Sequence, residues 1–396
     1  MENKNIPNLC VAEDCTACAA CYSACRQSAI KMLPDGNGFL HPVVDARKCI
    51  GCKACEKACP ILAEKKSGAD PLACYLGWNN DAEARRGSSS GGMFSAIADE
   101  VLKEGGVVWG AAYDDEFKLS YQCAENAEAL VKLRGSKYVQ CEVGDAFLEI
   151  KEQLKSGRKV LFAGTPCHVR GLVASVPQHL QENLMTVDFV CHGVPSPKLF
   201  AEYVEWLEKK HGRKIVSFNF REPKYGMNYS LTTGCTFADG KHKYLAGTDN
   251  AYIRAFEQGC TLRECCYNCK SNGKSRPSDF TMADSFGGEK MVGLDDIVKG
   301  VSALIVNSEK GRKMLEAMNV TMQEMPLENV VHANGNYTGS CMEGLLEKQK
   351  SFYADSGLLF DERVQKWMMP TKGEKIKMLL YNLMGAKFFY WLKTRR

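Results

Sequence analysis

Two cysteine runs near the start of the chain share one spacing: Cys15-x2-Cys18-x2-Cys21-x3-Cys25 and Cys49-x2-Cys52-x2-Cys55-x3-Cys59-Pro60. A cubane of iron and sulfide needs four soft thiolates that point inward. Two-residue gaps wrap the backbone around one face of such a cubane. The small gap residues Ala17, Ala19, Ala20, Gly51 and Ala54 let backbone N–H groups approach the sulfides. The doubled C-x2-C-x2-C-x3-C pattern points to two 4Fe-4S clusters. Zinc is the competing occupant, but structural zinc sites draw their ligands in pairs rather than from two adjacent four-cysteine runs.

The spacing is that of bacterial ferredoxins, in which the fourth cysteine of each run ligates the other cluster. Cys15, Cys18, Cys21 and Cys59 would hold one cubane, and Cys49, Cys52, Cys55 and Cys25 the other. One departure is Arg26, which follows Cys25 where proline is usual. Residues 29–33, a turn at 34–38 and residues 39–44 predict a strand–turn–strand that covers the clusters on one side. Two neighbouring cubanes make a one-electron wire, and a wire needs a terminus in the remainder of the chain.

Eleven of the twenty cysteines lie beyond the runs. Cys167 ends Gly164-Thr165-Pro166-Cys167, and Cys191 opens Cys191-His192-Gly193; each follows an apolar, strand-like segment. Cys266-x2-Cys269 sits in a Gly/Asn/Lys-rich loop. Loops at the ends of neighbouring strands converge, so these four are candidates for a third 4Fe-4S cluster. Cys260 and Cys265 are rival ligands, zinc a rival metal, and buried free thiols the plain alternative. Ser88-Ser89-Ser90-Gly91-Gly92 precedes a helix and offers N–H groups to a phosphate, although most such stretches are only turns. Gly273-Lys274-Ser275 is not a Walker A end, because Asn268 occupies the required first glycine position. His168 and His192 adjoin candidate cysteines and read as structural. Arg134, Lys137 and Tyr138 form a compact polar loop that suits either an anion or solvent.

The elements that must position these residues alternate between strand and helix. Helices are predicted over Met93–Lys103, 143–155 and 197–210, the last with Ser196 as N-cap and Gly212 past its end. Strands are predicted over Val107–Tyr113, 159–163 and 184–190, and a hairpin over 228–245 turns at Asp239-Gly240. The fold class is α+β or mixed α/β: a small bacterial-ferredoxin-like domain over 1–66, a linker at 64–71, a larger mixed-sheet domain over 71–370 and a basic amphipathic helix over 371–396.

Composition narrows the function classes. Of 396 residues, 45 % are hydrophobic and 25 % charged, which excludes disordered and collagen-like chains. A net charge of +4 gives no argument for nucleic acid. No export signal or membrane span is legible, so clustered reduced thiols in the cytoplasm are expected.

Several segments, taken in order, resemble the beta-subunit family of coenzyme F420 hydrogenase/dehydrogenase, in the form with an N-terminal two-cluster ferredoxin domain. They are Ser90-Gly91-Gly92, Arg134-Gly135-Ser136-Lys137-Tyr138-Val139-Gln140, Gly164-Thr165-Pro166-Cys167, Cys191-His192-Gly193-Val194-Pro195-Ser196 and Cys266-x2-Cys269. The resemblance implies an FAD-binding iron–sulfur oxidoreductase. Flavin would exchange single electrons with clusters and hydride with F420 or another small acceptor. It also implies that Ser90, Gly91, Gly92, Lys137 and Thr165 are flavin-site residues and that Cys167, Cys191, Cys266 and Cys269 ligate the flavin-proximal cluster. His168 stands where relatives tend to carry glutamine. In Met282-Ala283-Asp284-Ser285-Phe286-Gly287 only Asp284 and Gly287 fit the family pattern.

The expected partners are reduced ferredoxin or a redox subunit, and a small hydride donor or acceptor. A rival reading is an electron-carrier subunit with no substrate site of its own. From Lys372 onward the chain has seven Lys/Arg and one Glu. That apolar, aromatic and basic tail suits an anionic membrane surface, a partner, or simple packing on the core.

Overall fold

The computed structural model describes residues 6–63, 70–223 and 232–286. Beyond these it describes the chain to Phe388 apart from 287, 289, 341, 343, 374, 377, 378, 381, 382 and 385–387. Residues 64–69 of the linker expected at 64–71, the opening of the expected hairpin, Gly287 and much of the tail lie outside the described residues.

The two cysteine runs flank a hairpin of β1 (Ile30–Pro34) and β2 (Leu40–Val44), paired antiparallel as expected. Each run carries a five-residue helix, Ala20–Ala24 or Ala54–Ala58, so the sequence repeat is also a structural repeat.

The larger unit is built on β3 (Ala73–Asn79), β4 (Val107–Tyr113), β5 (Leu119–Ala124), β6 (Val160–Ala163) and β7 (Leu184–Phe189). A separate three-stranded sheet follows, made of β8 (Ile215–Asn219), β9 (Gly234–Phe237) and β10 (His242–Tyr244). The main sheet is completed by β11 (Phe280–Asp284), β12 (Ser302–Val306) and β13 (Val320–Glu324). Its eight strands run in the order β13-β3-β12-β11-β7-β6-β4-β5. The four central strands β11, β7, β6 and β4 are mutually parallel, and the outer ones are antiparallel. This is the mixed α/β architecture expected.

Alternate strand residues bury on opposite faces. Val107, Trp109, Val160 and Phe162 pack with Val169 and Leu172 of the Pro166–Ser175 helix. Val108, Leu161, Val187 and Phe280 pack with Met93, Ile97 and Val101 of the Met93–Lys103 helix. Cover on both faces explains why the central strands read as unbroken apolar runs.

Most predicted boundaries agree within a residue. The helix expected from 143 begins at Ala146, because Glu142 is bridged to β5 through Ser120 and holds the chain extended. The helix Pro197–His211 is capped as read: the Ser196 hydroxyl accepts from the Lys198 and Leu199 N–H groups, and Gly212 closes it at φ 61°. The β9–β10 hairpin turns at Asp239-Gly240. In the tail the described residues between Lys372 and Phe388 are helical, and Ile376, Leu379, Leu380, Leu383 and Met384 are exposed rather than packed on the core. Among the described residues no helix is long and apolar enough to cross a membrane.

Candidate cofactor sites

The cysteines of the first sixty residues divide between two cavities, and the division crosses the sequence runs. Cys15, Cys18, Cys21 and Cys59 line one, together with Cys10. Cys25, Cys49, Cys52 and Cys55 line the other. Each short helix carries the chain from one cavity to the other. The turns before them adopt left-handed backbone: φ is 55° at Ala17 and 57° at Ala19, then 71° at Gly51 and 58° at Lys53. Three of these four are not glycine, and each such residue costs about 1–2 kcal/mol. Strain of this kind gathers at functional sites. Here it aims N–H groups at sulfur: Gly51 N donates to Cys49 Sγ at 3.4 Å and Ala29 N to Cys25 Sγ at 3.3 Å. Ala17, Ala20 and Tyr22 do the same for Cys15, Cys18 and Cys21. Inward donors and small gap residues fit a cubane. Among the described residues no three histidine, cysteine or carboxylate side chains close around a single ion.

The ferredoxin-like unit is docked on the larger one through its first cavity. An added Cβ on Gly171 would come 2.8 Å from Cys18 Cβ and 2.9 Å from Cys18 Sγ, so the helix that begins at Pro166 lies directly on that thiol. Arg263, almost fully buried, reaches across: Nε donates to Cys15 O at 2.6 Å and Nη2 to Leu40 O at 2.9 Å. Lys151 Nζ donates to Ser23 O at 2.9 Å, and Tyr22 donates to Asp145 Oδ1 at 2.6 Å. Sequence reasoning missed Arg263. Its only local signal is its position two residues before the cysteine pair.

A third thiol-lined cavity sits behind the first. Cys167, Cys191, Cys265, Cys266 and Cys269 line it, and Thr16 is shared with the first cavity. Burial pushes the Cys191 thiol up to about 12 and raises Cys167 well above its ordinary range. Metal binding at such thiols must therefore release protons. The Thr165 hydroxyl lies 3.2 Å from Cys167 Sγ. His168 is buried with Nδ1 2.9 Å from the Tyr121 hydroxyl, and burial holds it neutral, lowered to about 4. Cys260, a rival ligand by sequence, is not at this cavity; its thiol donates to Ala255 O in the core.

One buried ion pair fixes the loop that carries Cys269. Arg276 Nη1 meets Asp188 Oδ2 at 3.2 Å with both side chains fully buried, and Thr281 donates to Asp188 Oδ1 at 2.5 Å. Asp188 belongs to β7, three residues before Cys191. Arg276→Met leaves that carboxylate buried without its cation, which should cost about 3–5 kcal/mol. A urea midpoint unchanged from the parent protein would contradict this.

A larger cavity than these three, about 660 Å³, crosses the carboxyl-terminal halves of the four parallel strands. Gly110 and Ala111 come from β4, Ala163 from β6, Phe189 from β7, and Met282, Ala283 and Asp284 from β11. Open α/β sheets bind ligands at this edge, and the volume suits a small-molecule cofactor. Thr165, Cys191, His192, Gly193 and Val194 line both this cavity and the third thiol cavity.

Its floor is the serine–glycine turn. Gly92 is the N-cap of the Met93–Lys103 helix at φ 80°, with no side-chain cap, so the first N–H groups of the helix are available to an anion. A Cβ on Gly91 would lie 2.5 Å from Gly77 O and 2.7 Å from Ser302 N, so only glycine lets the turn touch the sheet. Ser90 Oγ donates to Val301 O at 2.7 Å. Lys137 lines the wall, but its ammonium donates to the carbonyls of Lys132, Leu133 and Arg134 at 3.1, 3.1 and 2.7 Å. It caps the Ala127–Leu133 helix, and burial lowers it to about 7. Arg221, also missed by sequence, is buried in the wall and holds Asp284 through both carboxylate oxygens, at 2.8 and 3.1 Å. Apposition to Asp284 raises the guanidinium pKa despite burial.

Paired thiol cavities joined to a sheet with a ligand-sized cleft are the build of an iron–sulfur electron-transfer protein. The family model for "Coenzyme F420 hydrogenase/dehydrogenase, beta subunit N-term" matches residues 74–147, and the one for its C terminus matches residues 157–330. A "4Fe-4S dicluster domain" matches residues 14–63. The chain belongs to the beta-subunit family of coenzyme F420 hydrogenase/dehydrogenase, with an N-terminal 4Fe-4S dicluster domain. Among solved structures, a chain of the xenon-derivatised F420-reducing [NiFe] hydrogenase complex from Methanosarcina barkeri is similar at 16 % identity. The match covers 76 % of this chain and 97 % of that chain, with a TM-score of 0.47. No curated protein matches the chain.

Proposed function

We propose that the chain is an iron–sulfur flavoprotein oxidoreductase in which one-electron carriers at the N-terminus serve a two-electron organic centre in the large cavity. The observation that carries the reading is the contiguity of the cavities. The first and third share Thr16, and the third and the 660 Å³ cavity share five residues.

Cys15, Cys18, Cys21 and Cys59 would hold one cubane, Cys25, Cys49, Cys52 and Cys55 a second, and thiols of the third cavity another. FAD, when bound, supplies the exchange between single-electron and hydride chemistry, with F420 or another small molecule as partner. This chain's own residues do the positioning. The helix that opens at Met93 presents N–H groups to a diphosphate, with Ser90 and Gly91 pinning the turn to the sheet. The Thr165 hydroxyl tunes the Cys167 sulfur by hydrogen bonding, a lever on cluster potential. The Arg221–Asp284 pair holds a fixed dipole at the wall. Exposed Cys52 marks the side from which reduced ferredoxin or a partner subunit would exchange electrons.

Anaerobic purification should yield FAD and about twelve irons per chain, four for each cubane, and titration with F420 and other acceptors should bleach or restore the flavin absorbance. Clusters without flavin would favour a pure electron carrier; zinc in place of iron would end both readings.

A further inference from the structure

Five large apolar side chains are exposed within nine residues of the tail: Ile376, Leu379, Leu380, Leu383 and Met384. Elsewhere among the described residues no stretch of nine holds more than two. The five recur at i, i+3, i+4, i+7 and i+8, the apolar stripe of one helix face. Every described residue from Lys372 to Met384 is helical. Apolar surface gathered in this way marks an interaction site, whereas single exposed side chains are ordinary.

Charge says what covers the stripe. Of the chain's net charge of +4, residues 372–396 carry +6 and residues 1–371 carry −2. The positive charge is therefore concentrated on the segment that also exposes the apolar face. We propose that this tail attaches the protein to an anionic bilayer surface, with the stripe toward the acyl chains and the lysines and arginines at the headgroups. Apolar burial and electrostatic attraction act together in such binding. The inference goes beyond the redox reading and needs none of its cofactor sites.

The attachment is peripheral. Between Lys377 and Lys387 the chain has nine uncharged residues, and a span needs about twenty. Beyond Lys387 the sequence continues Phe388-Phe389-Tyr390-Trp391-Leu392 and then Lys393, Arg395 and Arg396. Aromatic rings beside cations suit the level of the headgroups, where long cationic side chains reach up to water from an apolar stem. A second copy of the tail is a poor occupant of the stripe, because seven cations and one anion on each side would repel.

The test is flotation of the full chain, purified without oxygen, with vesicles of phosphatidylcholine alone or mixed with phosphatidylglycerol. The protein should rise with the mixed vesicles, stay behind with phosphatidylcholine, and be released from the mixed vesicles as salt is raised. Leu379→Glu/Leu383→Glu should abolish flotation while iron content stays at the parent level as evidence of folding. Arg395→Gln/Arg396→Gln, which leaves the stripe intact, should weaken partitioning by about fivefold for each charge removed. Absence of flotation, equal flotation with both vesicle types, or flotation that survives Leu379→Glu/Leu383→Glu would overturn the proposal. So would a parent dimer in lipid-free sedimentation that this variant converts to monomer, since a second copy would then cover the stripe.

Discussion

The double variant Cys15→Ala/Cys59→Ala is expected to lose about four irons, no more than either single variant. Cys15→Ala/Cys49→Ala is expected to lose about eight. The reasoning is that of a thermodynamic cycle: changes within one unit are non-additive, and changes in separate units add. Cys15 and Cys59 line one cavity although they stand in different runs, and Cys49 lines the other. Uncrossed ligation predicts the reverse, with eight irons lost from Cys15/Cys59 and four from a pair within one run, such as Cys15/Cys25. Iron assay on anaerobically prepared protein separates the two outcomes by a factor of two. The larger unit reports on integrity, since flavin content should stay at the parent level in both variants.

Gly91→Ala is expected to deprive the protein of flavin while its N-terminal clusters remain. The added methyl would meet Gly77 O at 2.5 Å and Ser302 N at 2.7 Å, both backbone atoms of paired strands that have no room to retreat. Overpacking of this sort costs about 1–3 kcal/mol. The turn must lift off the sheet, which moves the helix N-terminus at Gly92 and Met93 away from the position proposed for the diphosphate. If all of that strain falls on the bound state, affinity drops by about tenfold for each 1.4 kcal/mol. Ser90→Ala, which removes one hydrogen bond to Val301 O, should have a smaller effect of about 1 kcal/mol. Flavin released on denaturation, measured against iron, checks both. Full flavin occupancy in Gly91→Ala would place the cofactor elsewhere.

The N-terminal unit was legible because its chemistry is local. Within each run two or three residues separate every cysteine from the next, so spacing alone dictates a wrapped backbone. The left-handed turns at Ala17, Ala19, Gly51 and Lys53 follow from that wrapping. The central strands were legible for a related reason: a sheet covered on both faces leaves unbroken apolar runs. The outer strands were harder. β13 is largely exposed along its length and β3 alternates in burial, so neither leaves such a run.

By itself the sequence determined the two thiol runs, the capped helices and the glycine turn, since each is set by neighbours along the chain. Only the tertiary structure decided which sequence-distant residues share a cavity. It brought Arg263 to Cys15 and Leu40, Arg221 to Asp284, and Arg276 to Asp188. It also set the Lys137 ammonium, at the wall of the large cavity, against three carbonyls of its own helix end. The physical reason is the same in each case. A long cationic side chain has many rotamers and no periodicity, so its partner is chosen by where burial leaves an unpaired acceptor, and that is a property of the packed chain.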